Sequence, residues 1–405
     1  GARPDPGPPH SSGARFPAAA REVSTLFCLL AAVAGGSLLL GWVGYPWVLR
    51  LLTTGRRRLV PPAEPVPGGV SVVIATREPP EQVRDRVRNV RESVLPGSPL
   101  EIVVAVDQSV LERLVEYRTC CEGLARVVPG DAPGGKACNL NAAVRESAHS
   151  LLVFTDSAQA FRPDAIARLV ACFDDGTVGA ATGTLDFGSA APTSPLLHRF
   201  WSYELHLRER ESLLDSVVAV TGAIYAMRRS LWMPLPAGLI CDDLFVPMQV
   251  VRQGRRVVAS TESIAVDERR FTRVQEFRRK VRTLTGMIQF CVLCPWALLP
   301  WRNRIWGQFV CHKLLRLSTP YLLVLTGLGL ALCVPVPRWL WGTLAAVALT
   351  LALLVLLAPA ASRPRRLGRQ LVWAGYLLIA PLAATLNALR GNWDVWTPHR
   401  HPPAG

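Results

Sequence analysis

The chain has 405 residues, of which 50% are hydrophobic, with a mean hydropathy of +0.25 and a formal net charge of +15. That composition excludes an intrinsically disordered chain and a small disulfide scaffold, and it points to membrane segments joined to a soluble part. The ten cysteines are scattered, mostly in apolar runs, and read as reduced structural residues; no Cys/His set has zinc-finger spacing, and Cys291-x-x-Cys294 lies in an apolar stretch. Of the 45 basic residues only three are lysines, Lys136, Lys280 and Lys313, a bias read as codon usage.

In chain order, residues 1–22 are rich in Pro, Gly and Ser and read as a disordered segment, and a first residue of Gly1 reads as a trimmed or incomplete start. Residues 23–49 read as a first transmembrane helix, because Ser24–Leu49 carries no charge over 26 positions, too long for a signal-peptide core. Residues 53–282 read as one α/β domain. Val70–Ala75, Glu101–Val106 and Leu151–Thr155 are apolar, β-branched strand runs separated by the helical patterns Glu81–Val94, Val110–Cys121 and Lys136–Ala148. Alternating strands and helices imply a mostly parallel sheet covered on both faces. Thr283–Trp301 is uncharged but holds Pro295 and Pro300 and precedes Arg302, Arg304, Lys313 and Arg316, so 283–316 reads as amphipathic interfacial helices. Residues 317–389 supply three further spans, Leu317–Pro337, Trp339–Ser362 and Leu371–Leu389, and 390–405 a tail.

Two basic clusters, Arg50 with Arg56–Arg58 and Arg363 with Arg365, Arg366 and Arg369, flank the spans and place the soluble domain in the cytoplasm, most simply at a bacterial plasma membrane. Eleven Lys/Arg fall between Arg269 and Arg316, beside aromatic apolar segments. That setting favours lipid headgroups over nucleic acid. The spans carry almost no polar residue beyond Asn387, which argues against a transporter.

The chemistry sits at strand ends and helix starts. Asp107 and Asp156 each end an apolar strand, where ligands gather in open α/β sheets, although a helix cap is the bland alternative. Lys136 opens a helix after Gly134-Gly135, a setting suited to a diphosphate. Asp242-Asp243 starts another helix and reads either as a cap or as a general base. Neither a Gly-x-Gly-x-x-Gly after the first strand nor a Gly-Lys-Ser/Thr loop is present, which excludes a Rossmann dinucleotide site and a P-loop.

The order of these pieces resembles the membrane-bound family 2 glycosyltransferases, related to hyaluronan, cellulose and ceramide-glucosyl synthases, over roughly Arg50 to the end. Ser71–Glu78 is similar to the family's first strand and nucleotide loop, Gly135-Lys136…Leu140-Asn141 to its donor motif, and Asp156 to the first carboxylate of its metal motif. Val220–Arg229 is similar to its acceptor loop, and Asp242-Asp243 to its Glu-Asp pair. Arg279–Thr283 falls where its Gln-x-x-Arg-Trp motif lies, and Cys311–Arg316 resembles a Ser-His-Lys-x-x-Arg segment of one bacterial branch.

The resemblance implies a GT-A fold and an inverting glycosyltransferase. Asp243 is implied as general base. Thr76, Glu78, Asp107, Lys136, Asn141, Asp156, Arg279 and Arg282 are implied to bind a nucleotide-sugar donor, UDP-linked by preference. Gly222 and Asp242 are implied to line the site of a lipid or polysaccharide acceptor, and Asp156 to hold a divalent cation, Mg²⁺ or Mn²⁺. The metal motif is weakened, since its second carboxylate is Ala158, with Gln159 next. Thr283 stands where polymerising members carry the acceptor-stacking Trp, which implies single addition over long-chain synthesis. A weakened protein that binds nucleotide sugar or a partner without efficient turnover is the alternative.

Overall fold

The computed structural model describes residues 18–56, 68–93, 97–188, 195–269, 271–333 and 363–395. The middle of the chain folds around eight strands: β1 (Val70–Thr76), β2 (Leu100–Val106), β3 (Arg126–Pro129), β4 (Leu151–Thr155), β5 (Ala160–Phe161), β6 (Val178–Asp186), β7 (Tyr225–Arg228) and β8 (Arg256–Val266). They form one sheet in the order β3-β2-β1-β4-β7-β6-β8-β5. The β3-β2-β1-β4 half is parallel throughout, as is β6 with β8, whereas β7 runs antiparallel to both β4 and β6, and β5 to β8. The expected parallel character therefore holds over most pairings, and the sheet turns mixed beyond β4.

Strand alternation explains why the sheet is buried on both faces. Val73, Val103 and Ala105 point into one core, with Leu140 and Val144 from α5 (Lys136–Glu146). Val72, Val104 and Val106 point into the other, with Val83, Val87 and Val90 from α3 (Pro80–Glu92). Register then sets the site. Thr76 stands opposite Val106, and Ile74 opposite Thr155, so the residues following β1, β2 and β4 emerge at one sheet edge.

The remaining helices frame that edge. They are α4 (Leu114–Cys120), α6 (Ala165–Val170), α7 (Pro195–Leu214), α8 (Asp242–Arg252) and α9 (Arg273–Leu293). Before the domain stand α1 (Ala18–Leu39), a π-turn (Leu40–Gly44) and α2 (Tyr45–Leu52); the segment Ser24–Leu52 is long and apolar enough to cross a membrane, at mean hydropathy 2.2. After it come the short α10 (Trp306–Gln308), a second π-turn (Phe309–Leu314), α11 (Leu315–Leu317), α12 (Thr319–Cys333) and α13 (Arg363–Leu389). Trp306–Leu317 and Thr319–Cys333 meet at 69°. α12 covers most of the expected Leu317–Pro337 span, and α13 contains Leu371–Leu389. The expected span Trp339–Ser362, residues 1–17 of the expected disordered segment and 396–405 of the tail lie outside the described residues. α9 ends at Leu293, where Cys294-Pro295 breaks it, and its face of Leu284, Met287 and Phe290 is buried in the domain core.

The cysteines need one correction. Eight are free, but Cys28 of α1 and Cys333 of α12 are joined by a disulfide. The two helices approach closely because Gly329 is small: a Cβ there would lie 2.9 Å from both the Ala31 Cβ and the Phe27 carbonyl oxygen.

Candidate active site

The common strand edge opens into a cavity of about 1430 Å³ lined by Thr76, Glu78, Asp107, Lys136, Asp156 and Asp243, among others. Gly222, Asp242, Arg279 and Arg282 line it too. Of the residues expected in the site, only Asn141 does not.

Asp107 anchors the loops that follow β2 and β3. One carboxylate oxygen accepts from the Ser109 backbone N–H at 3.0 Å and its hydroxyl at 2.7 Å; the other accepts from the Gly135 N–H at 2.7 Å and the Asn139 amide at 2.8 Å. Burial favours the neutral acid, but these donors outweigh it and hold the carboxyl below its ordinary range. The Gly134-Gly135 turn needs glycine, with φ of 102° and 89°. It delivers Lys136 to the start of α5. Thr76 steadies the β1 loop by accepting from the Glu78 N–H at 3.0 Å.

Lys136 Nζ bridges Asp156 and Asp242, at 3.1 Å from each. Burial alone would favour the neutral amine, yet these carboxylates and Asp243 keep the ammonium charged. Asp156 is itself fixed from below by Arg86. That guanidinium donates to the Asp156 carbonyl at 3.3 Å and the Thr155 hydroxyl at 2.7 Å, and stacks 4.0 Å from the Phe161 ring.

Asp243 faces the cavity from the first turn of α8, and its carbonyl accepts the Val220 N–H at 2.9 Å. Removal from water and the neighbouring Asp242 charge raise its carboxyl above the ordinary range, against the pull of Lys136, Arg208 and Arg282. A carboxylate lifted in this way is a better proton acceptor. Gly222 lies between it and the lysine: a Cβ at 222 would be 3.7 Å from Lys136 Nζ and 3.8 Å from the Asp243 Cβ.

Arg279 and Arg269 both lie over the Phe271 ring, with 4.1 and 5.3 Å to its centroid. Burial and the repulsion of Arg269 and Arg282 push the Arg279 guanidinium down, so this basic group is built to meet an anion.

Residues 67–286, more than half of the chain, match the family described as glycosyltransferase like family 2. The chain belongs to that family. It is a glycosyltransferase, with the GT-A fold. A mannosyltransferase from Pyrobaculum calidifontis, solved with GDP-mannose and Mn²⁺, shares the fold at a TM-score of 0.63 and 19% identity, over 91% of this chain and 99% of that one. Glucosyl-3-phosphoglycerate synthase from Mycobacterium tuberculosis, solved with Mn²⁺, UDP-glucose and phosphoglyceric acid, aligns at a TM-score of 0.38 and 14% identity, over 61% and 82% of the two chains. No curated protein matches in sequence.

One of the expected residues lies apart from the cavity. Asn141 was expected at the donor, but its amide donates to the Leu235 carbonyl at 2.9 Å and accepts from the Leu235 N–H at 2.8 Å, tying α5 to the segment before α8. Asn139, the same residue type two positions earlier, is the cavity residue. Sequence reasoning also missed Arg86, Arg208 and Arg269. Arg269 is gripped by Asp267 through two bonds of 2.8 and 2.7 Å. Helical phase would have found Asn139, since it falls on the Lys136 side of α5 and Asn141 does not.

The donor set for a cation is sparse. Among the described residues no group of three or more His, Cys, Asp or Glu side chains could hold a metal. Asp156 offers a carboxylate that is 38% exposed, and Gln159 Oε1 is buried with no hydrogen-bond partner. Mg²⁺ and Mn²⁺ sites are commonly completed by substrate phosphates and water around one or two carboxylates, so these residues fit such an ion.

Proposed function

We propose that this glycosyltransferase is anchored in a membrane and moves a sugar, with inversion, from a UDP-sugar to a hydroxyl of a lipid-linked acceptor. The observation that carries the reading is Asp243: a carboxylate of raised proton affinity facing the same cavity as Lys136, Arg269, Arg279 and Arg282. A base on one side and concentrated cations on the other suit one displacement. Asp243 accepts the proton of the acceptor hydroxyl. The oxygen attacks the anomeric carbon as the bond to the diphosphate oxygen breaks, and the electron pair leaves with the nucleotide. Asp107 holds the Gly134-Gly135 turn, Lys136 and the arginines face the departing charge, and Asp242 holds Lys136. A divalent cation, when bound, neutralises charge on the diphosphate; Asp156 would hold it, with Gln159 within the same cavity.

Membrane attachment is supported by surface chemistry. Leu26, Val33, Leu39 and Trp47 of the N-terminal helices, Val324 and Leu328 of α12, and Ile379 and Leu386 of α13 are exposed apolar side chains in continuous helices. The disulfide supports an orientation. Cys28, near the start of the apolar segment Ser24–Leu52, is joined to Cys333, the last residue of α12, at the end of that segment away from α2, while the other cysteines are free. Disulfides persist in oxidising compartments, so that end faces outward and the domain faces the cytoplasm.

The test is nucleotide release by full-length protein in nanodiscs with a panel of UDP-, GDP- and TDP-sugars, with Mg²⁺, Mn²⁺ or chelator, and with membrane lipid extract. Release with one UDP-sugar that grows with lipid and falls with chelator supports the reading. Donor binding without release under every condition overturns it in favour of a binding protein.

A further inference from the structure

All three lysines of the chain line the one cavity. Lys136 serves the carboxylates described above. Lys280 and Lys313 belong to a second basic group, with Arg208, His312 and Arg316. One carboxylate faces this group. Glu204 of α7 accepts from His312 Nε2 at 2.8 Å, Lys313 Nζ at 3.0 Å and Arg316 Nη1 at 2.9 Å, and pairs with Arg208 Nε at 3.6 Å. Behind it, Glu211 takes His312 Nδ1 and the Tyr45 hydroxyl, both at 2.8 Å. Lys280 is left over. Among the described residues its ammonium has no hydrogen-bond or ion-pair partner, only the Phe200 ring 5.4 Å away. Burial pushes it below its ordinary value against the attraction of Glu204, and Lys313 and Arg316 add repulsion. An enclosed excess of cations is costly unless an anion completes it.

The surroundings show what carries the anion. The donor diphosphate already has its own cations. Walls near the second group come from Trp42, Leu317 and Pro320, and from Leu378 and Pro381 of α13, the elements whose outer faces are exposed and apolar. Arg316 lies 5.0 Å from the Trp42 ring centroid and 4.9 Å from that of Tyr203, and the Trp42 indole donates to the Thr319 hydroxyl at 3.0 Å. Charge beside apolar helices suits a headgroup at a membrane surface. The group is also continuous with the reacting centre, because Arg208 donates to the Thr221 hydroxyl at 3.0 Å, beside Gly222.

Resting on the reading above, we propose that Lys280, Lys313 and Arg316 bind the phosphate of a lipid phosphate acceptor, whose sugar hydroxyl reaches Asp243. Compact ammonium groups suit a phosphate oxyanion as point charges, and the planar Arg316 adds directional bonds.

The experiment is equilibrium binding to full-length protein in neutral-lipid nanodiscs, with the donor end filled by saturating nucleoside diphosphate and Mn²⁺. Three probes are compared: a prenyl monophosphate, the prenyl alcohol of the same chain, and inorganic phosphate. The prenyl phosphate binds at least about tenfold more tightly than either of the others, Lys280→Gln removes that advantage, and Lys280→Arg retains most of it. Equal binding of phosphate and alcohol, or no effect of Lys280→Gln, overturns the proposal. Inorganic phosphate binding as tightly as the lipid overturns its lipid part and assigns the site to a soluble anion. Retained nucleotide affinity shows that each variant is folded. Since binding needs no turnover, failure here beside intact donor release fails this inference alone, whereas wild-type protein that releases no nucleotide fails the reading on which it rests.

Discussion

Asp107→Ala removes the acceptor of four hydrogen bonds. The two Ser109 donors stand at a partly exposed helix start and turn to water. The Gly135 N–H and the buried Asn139 amide cannot do so readily. Two enclosed bonds to a charged acceptor, at about 1.5–3 kcal/mol each, give roughly 3–6 kcal/mol, and the lower half is expected because the burial cost of the carboxylate vanishes with it. Asp107→Asn keeps the shape but not the charge and should lose about half as much. Denaturant unfolding of the purified protein measures this, with nucleotide affinity as a second readout, since the Gly134-Gly135 turn loses its anchor. The pH dependence has a definite sign. The folded carboxyl lies below its ordinary value, so its contribution is complete above the ordinary aspartate range and is lost as pH falls through the folded value. The Ala variant should lack that acid loss. A penalty under about 1 kcal/mol with unchanged nucleotide binding would refute the anchoring argument.

Other consequences are as direct. Asn141→Ala should destabilise by about 1–3 kcal/mol through its two bonds to Leu235, yet leave the donor KM within about twofold; a tenfold rise would return Asn141 to the donor site. Gly222→Leu should fill the space between Lys136 and Asp243 and lower transfer roughly 10²-fold while nucleotide binding persists, and undiminished transfer would place the acceptor elsewhere. The acid limb of kcat/KM should lie above the ordinary aspartate value of 3.8, because Asp243 is raised and works deprotonated. Lys136→Gln should move that limb further up by removing a cation that favours the carboxylate. A limb at or below 3.8 would contradict the assignment.

The strands that build the site were legible because their chemistry is local. VSVVIA, EIVVAV and LLVFT are apolar and β-branched, and each was placed within a residue or two. Beyond β4 the signal fades: β6 reads VGAATGTLD, with two glycines and no clean alternation, and β7 has four residues, so the switch to antiparallel pairing was not legible. Asp107 was found for its position, yet its partners Asn139 and Ser109 needed the helix phase and a turn to be known. The Glu204–His312 contact spans 108 residues of sequence, and no spacing rule reaches that far. Lys280 looked like one member of a lipid-facing basic run, and only packing separates it from Arg279 beside it.

The most direct measurement compares Asp243→Asn with wild type in nanodiscs, using the donor that supports nucleotide release. Donor affinity should stay within a few-fold, and turnover should fall about 10²–10⁴-fold, the usual cost of losing a general base. Turnover near wild type with intact donor binding would contradict the account, because among the described residues Asp243 is the carboxylate that combines a raised proton affinity with a place beside Gly222.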